Sequence, residues 1–296
     1  MATTTKESFN QFATNLNITD NQGEVVSNCR KNVVGKISKE LSLYTEQSSK
    51  LIGSYDRDTL IRYLTERDVD VMVVLNYGAN KHWDSRDGAI KVLDKFKEIL
   101  ENAYPDTDCK IDRNCITMNL SKFRLDVVPA FKYEEGYYAI PDTYRRNWLK
   151  TDPVKFAEEI TRINKNMGGS FIPLIKMMKG WNRKFKRPLR GFHLECIMLN
   201  HYKNYKQGFT YDSMAKVFFE KLPVYLESPA NDPITGDRVD LYMDNDSLGN
   251  RRIDFISRAR KTSAEAKEAF NDTEKYPIAC IKEWKEIFGE FFPAYG

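Results

Sequence analysis

The chain has 296 residues, 41% hydrophobic, 30% charged and 12% aromatic, which excludes a disordered polypeptide and allows one large domain or two closely packed lobes. Its net charge of +4 is a mild excess that suits a phosphate-bearing substrate, and no block of like charges is long enough for a nucleic-acid tail. There is neither a secretory leader nor a run of about 18 apolar residues, which points to the cytosol.

Along the chain, Val25, Val26, Val33, Val34, Ile37, Leu41 and Leu43 recur at mostly helical spacing and predict one long amphipathic helix over 24–44, with Asp20 and Asn21 as capping groups. A short strand over 50–52 then enters a Gly53-Ser54 turn, and a helix is expected over 55–63. The continuous β-branched and apolar run 69–75 reads as a buried strand with Asp68 and Asp70 at its entrance, both on one face by the two-residue period. A helix over 89–100 and short strands over 109–111, 115–120 and 123–128 complete a mixed lobe, residues 1–150.

From Asp152-Pro153 the pattern turns helical, with helices expected over 154–166, 171–185, 192–201, 213–222, 258–270 and 277–288, forming a second lobe, residues 151–296. Ser228–Gly236 is turn-rich and reads as a loop, and Arg183, Lys184, Lys186, Arg187 and Arg190 read as a solvated basic loop. Cys29, Cys109, Cys115, Cys196 and Cys280 are scattered without CxxC or zinc-ligand spacing and read as reduced, mostly buried thiols. His82, His193 and His201 show no metal spacing either.

A glycine-serine turn and three carboxylates on strand-like segments, Asp68, Asp70 and Asp126, are what metal-dependent nucleotidyl transfer needs. Two magnesium ions neutralise the triphosphate and the charge that develops on it, and magnesium prefers carboxylate and phosphate oxygens. Asp68 and Asp70 can bridge both ions, while Asp126 can bind one of them and accept the proton of the attacking hydroxyl. Gly53 lets the backbone approach the phosphates and Ser54 can donate to them. Each element alone is common enough to be a plain turn or a surface cap; their order and context carry the reading.

Gly53-Ser54-Tyr55, Asp68-Val69-Asp70-Val71-Met72-Val73-Val74-Leu75 and Leu125-Asp126-Val127-Val128-Pro129 resemble the motifs of the polymerase-β-type nucleotidyltransferases. Lys179-Gly180-Trp181-Asn182, followed by Phe192-His193-Leu194-Glu195, is similar to the signature of the bacterial cGAS/DncV-like branch, the CD-NTases of CBASS anti-phage defence. That resemblance spans roughly residues 35–260. It implies an α+β fold: a polymerase-β-like core of mixed sheet, flanking helices and the long N-terminal helix, packed on a C-terminal helical lobe that closes the nucleotide cleft.

The resemblance further implies that Lys176 and Lys179 contact the triphosphate, the alternative being a solvated basic helix face. Animal members open the later helix with a Ser-Tyr pair; here Gly191-Phe192 keeps an aromatic face for stacking but lacks the serine hydroxyl, and a core aromatic is the alternative for Phe192. The implied activity is template-independent synthesis of a cyclic di- or trinucleotide from ATP and GTP or other triphosphates. Modification of an RNA or protein acceptor is the alternative. No zinc-bearing insertion is present, so no DNA activator is expected, and no membrane. The final Gly296 suits conjugation by an E1/E2-like partner, as in some family members. Base choice is expected from side chains near 104–113 or 232–250.

Overall fold

Phe9 and Phe12 are buried on α1 (Thr5–Asn15), a helix that the sequence pattern alone does not predict. A capping box starts it: Glu7 N–H donates to Thr4 Oγ1 and Thr4 N–H returns to Glu7 Oε2. The computed structural model describes residues 2–45, 48–66, 68–244, 251–271 and 276–296, so 245–250 of the expected base-selecting region lie outside the described residues.

The long helix α2 (Asp20–Glu40) starts and stops earlier than expected, because Thr19 and Gln22 form its capping box and Leu41 is already extended. It leads to β1 (Ser49–Ile52) and the single turn α3 (Gly53–Asp56). The helix expected over 55–63 is not formed. Instead Thr59 and Leu60 N–H both return to the Ser54 carbonyl, and the segment folds back to bury Leu60, Ile61 and Leu64. Next come β2 (Asp68–Val74), α4 (Tyr77–Asn80) and α5 (Gly88–Ala103), then β3 (Cys109–Asp112), β4 (Cys115–Asn119) and β5 (Arg124–Lys132). Two strands are additional to the sequence reading, β6 (Tyr138–Asp142) and β7 (Asn147–Thr151).

The strands form a seven-stranded mixed sheet in the order β1-β2-β5-β4-β3, extended by β6 on β5 and β7 on β6. Only β2 and β5, at its centre, pair in parallel. Alternation gives the sheet two unlike faces. Val69, Val71, Val73, Ile116, Met118, Leu125 and Val127 face α2 and α5 and build the main core with Val33, Ile37, Val92, Leu93 and Phe96. Met72, Val74, Ala130 and Tyr138 form a smaller cluster on the opposite side.

The helical half comprises α6 (Pro153–Asn166), α7 (Phe171–Lys184), α8 (Gly191–Tyr202), α9 (Tyr211–Glu227), α10 (Arg251–Asn271) and α11 (Pro277–Phe288). The chain folds as two compact units, one of Ile18–Ala157 and one of the residues up to Asn17 together with Glu158–Gly296. The boundary therefore lies past 150, and α1 belongs with the C-terminal helices rather than with the sheet. Its reason is aromatic: Phe9 meets Trp284 edge-on at 5.2 Å and Phe292 at 5.1 Å, while Phe12 lies 4.9 Å from Phe288.

The thiols are free, and Cys109, Cys115, Cys196 and Cys280 are buried as expected. Among the described residues no helix is long and apolar enough to cross a membrane. The expected basic loop is not simply solvated. Arg183 and Lys184 belong to the last turn of α7, where Arg183 is ion-paired with Glu290 and lies 5.1 Å over Phe291 and Lys184 Nζ donates to the Glu286 carbonyl, so this end of the basic cluster is docked on α11 and the tail behind it. That tail is anchored by buried Phe291 and Phe292, and the N–H of exposed Gly296 donates to the Ala2 carbonyl at 3.2 Å.

Candidate active site

Because β2 and β5 are parallel neighbours, Asp70 and Asp126 are direct register partners, and Asp68 is partnered with Arg124. Period-two alternation puts Asp68, Asp70 and Asp126 on the sheet face opposite α2 and α5, at the end beyond Met72, Val74 and Ala130. All three predicted aspartates thus share one face and one end of the sheet. Thr117 of β4, in register with Asp126, donates its hydroxyl to Asp126 Oδ1 at 2.7 Å.

The Gly53 turn closes over the same end. Ile52 is the register partner of Asp70, and Gly53 follows it with φ +69°, where a Cβ would stand 2.0 Å from Asp70 Oδ2. Only glycine combines that backbone with so close an approach to the carboxylate. Ser54 stands beside it, its carbonyl held by the returning Thr59 and Leu60 amides.

The electrostatics are those of crowded acids. Burial pushes the Asp126 carboxyl up to about 6, and the like charge of Asp68 adds to this, against the Thr117 hydrogen bond and the Arg124 charge. Neighbouring Cys115 is raised by its burial and by Asp126, which leaves it an inert thiol. Arg124 is ion-paired with Asp68 and lends the site a cation that the sequence motifs do not reveal. Among the described residues no three His, Cys, Asp or Glu side chains form a ready-made metal cluster. The donor set itself, hard carboxylate oxygens gathered on one sheet face, fits a divalent cation of the magnesium type.

The other predicted residues lie in the helical unit. Lys176 and Lys179, on α7, are both buried rather than presented on a solvated face. Lys176 Nζ donates to Asn17 Oδ1 at 2.8 Å, and Lys179 is ion-paired with fully buried Glu195 of α8. Phe192 is 39% exposed at the start of α8, so the core-aromatic alternative does not hold. Its neighbour Gly191 lies over Lys179, whose Nζ would be 3.9 Å from a Cβ there. Trp181 and Asn182 of the same signature have structural duties: Trp181 Nε1 donates to Thr262 Oγ1, and Asn182 bonds both the N–H and the carbonyl of Leu189. Gly180 admits Phe12 and Leu16 to within 3.3 Å of its missing Cβ.

Comparison with known proteins identifies the family and the fold. The Second Messenger Oligonucleotide or Dinucleotide Synthetase (SMODS) domain matches residues 2–164. A cyclic AMP-AMP-AMP synthase of an Acinetobacter species is 31% identical over 82% of this chain and 72% of its own length. The chain belongs to the SMODS family of cGAS/DncV-like nucleotidyltransferases. Two solved structures share the fold across nearly the whole chain. CdnC of E. coli MS115-1 with ATP has a TM-score of 0.73 at 17% identity, covering 98% of this chain and 99% of that one. DncV cyclic AMP-GMP synthase of Vibrio cholerae has 0.71 at 14% identity, covering 97% and 98%. As a SMODS nucleotidyltransferase, the protein has the α+β fold that its motifs imply.

Proposed function

We propose that this SMODS protein joins nucleoside triphosphates, without a template, into a cyclic di- or trinucleotide second messenger for anti-phage signalling in the cytosol. The observation that carries the reading is the pairing of Asp70 with Asp126 on the central parallel strands, directly under Gly53. Similarity to a cyclic AMP-AMP-AMP synthase makes ATP the first substrate to test, with GTP next. Asp68, Asp70 and Asp126 would hold magnesium, which when bound neutralises the triphosphate and the charge that develops during transfer.

In this reading the chain's own groups divide the remaining work. Asp126, a weak acid by virtue of its burial, takes the proton of the attacking hydroxyl. The Gly53 backbone and the Ser54 hydroxyl orient the β- and γ-phosphates. Arg124 keeps Asp68 in place through their ion pair. Lys179, oriented by Glu195, and Lys176 supply positive charge to phosphate, and the exposed ring of Phe192 stacks on a base.

The test is incubation with the four triphosphates and magnesium, with no template, followed by phosphatase treatment and mass spectrometry. A phosphatase-resistant cyclic product from the native protein, and none from folded Asp68→Asn/Asp70→Asn protein, is the expected result. Full activity in that double variant would overturn the mechanism. Label transferred to added RNA or protein in place of a small cyclic product would replace the reading by acceptor modification.

A further inference from the structure

A second concave site lies in the sheet unit, on the outer side of α2. Between α2, residues 41–45 and β1 lies an open cavity of about 880 Å³, lined by Arg30, Lys31, Gly35 and Lys50 among others. This is within the size range of small-molecule sites. None of the residues assigned to nucleotidyl transfer lines it.

Three features of the wall point to an anion. Arg30, Lys31 and Lys50 put three cations around one cavity, and among the described residues no carboxylate forms an ion pair with any of them. Arg30 Nη1 reaches the Ser49 carbonyl at 3.3 Å, yet its Nε is buried with no hydrogen-bond partner among the described residues, a donor that a buried site normally satisfies. Ser38, Ser42, Thr45 and Ser49 add hydroxyls, while Val34, Leu41 and Leu43 give an apolar floor against which an organic body can lie.

The fourth feature is Gly35. A glycine inside a helix costs about 1 kcal/mol relative to alanine, and here no atom of the described residues lies within 4 Å of where its Cβ would be. No packing against the described residues accounts for it. The missing side chain instead deepens the cavity that Gly35 lines.

We propose that this cavity binds a small organic phosphate, with Arg30, Lys31 and Lys50 on the phosphate and the Val34, Leu41 and Leu43 floor under the organic part. The concave shape, with only three cations and no aromatic among the described lining residues, distinguishes it from an extended nucleic-acid stripe. It is independent of the active-site reading, because it shares no residue with it.

Adenosine 5′-monophosphate and inorganic tripolyphosphate are the probes, titrated into the full chain without magnesium and followed by calorimetry, with hydrogen exchange read over residues 30–50. Binding of adenosine monophosphate is expected to protect that segment. It should weaken about tenfold or more in Arg30→Gln/Lys31→Gln, and vanish in Gly35→Phe, whose ring fills the cavity at an open helix position. Both variants should keep the native melting temperature and product formation. Tripolyphosphate is expected to bind more weakly than the nucleotide, for lack of an organic body. The proposal is overturned if neither probe binds, if the pocket variants bind as the native protein does, if affinity is lost only in Lys179→Ala, or if duplex nucleic acid binds there with affinity that grows with its length.

Discussion

Thr117 donates a hydroxyl hydrogen bond to Asp126 across the β4–β5 pair, at 2.7 Å and in direct register. The bond favours the ionised carboxylate against the burial that opposes it and fixes one oxygen. Thr117→Val keeps the shape and removes the donor. A hydrogen bond to a charged group contributes about 1.5 to 3 kcal/mol, so product formation should fall roughly ten- to hundredfold in kcat with little change in KM. Unchanged kcat would show that Asp126 needs no such support.

Gly53→Ala should be more damaging. The new methyl would meet Asp70 Oδ2 at 2.0 Å, in a backbone conformation that alanine adopts at a cost. To relieve the clash either the turn or the carboxylate must move, and both belong to the proposed site. We expect at least a hundredfold loss of kcat/KM, about 2.7 kcal/mol, with a circular dichroism spectrum like that of the native protein.

The Lys179–Glu195 pair allows a charge effect to be separated from a fold effect. Glu195→Gln leaves a buried ammonium without its carboxylate, and breaking such a pair costs about 3 to 5 kcal/mol. Lys179→Met with Glu195→Leu should restore most of that stability in thermal melts. If Lys179 serves the triphosphate, the double variant stays inactive although folded. Recovered activity in it would reduce Lys179 to a structural residue.

Acid should destabilise the helical unit before most carboxylates titrate. His193 and His201 are pushed down to about 4, in both cases chiefly by burial; Arg252 depresses His193 further against the pull of Asp240, and Lys221 depresses His201. The unfolded chain therefore binds more protons than the folded one between about pH 6.5 and 4. Stability is fully present above 6.5 and is lost as pH falls through 4, on the order of 3 kcal/mol for His193, which is only 1% exposed. Denaturant midpoints measured from pH 7 to 4 should fall accordingly, and His193→Gln should flatten part of the slope.

What the sequence discloses follows the range of the interaction. β2 with its aspartates is legible because valines fill one face of a central strand while Asp68 and Asp70 lead into Met72 and Val74 on the other, and α11 because Pro277 marks its start and apolar residues recur to Phe288. The site's supports are not legible. Thr117 and Arg124 reach Asp126 and Asp68 only through strand register, and Glu195 finds Lys179 only through the packing of two helices. The same holds for α1, whose apolar face has no nearby counterpart, and for the turn after Gly53, where two amides returning to one carbonyl override the local helical pattern.

The aromatic contacts of α1 set an order of events during synthesis. Thr5 and Cys280, in contact in the finished fold, are separated by 275 positions in the chain. At about 5 to 20 residues per second, the ribosome delivers α11 some tens of seconds after α1, by which time residues 18–157 have had ample opportunity to fold. Through that interval Phe9 and Phe12 have none of their final neighbours on α11, so the newborn N-terminus is a sticky segment. It is a natural point of engagement for chaperones, and the place where a stalled or truncated chain would begin to aggregate.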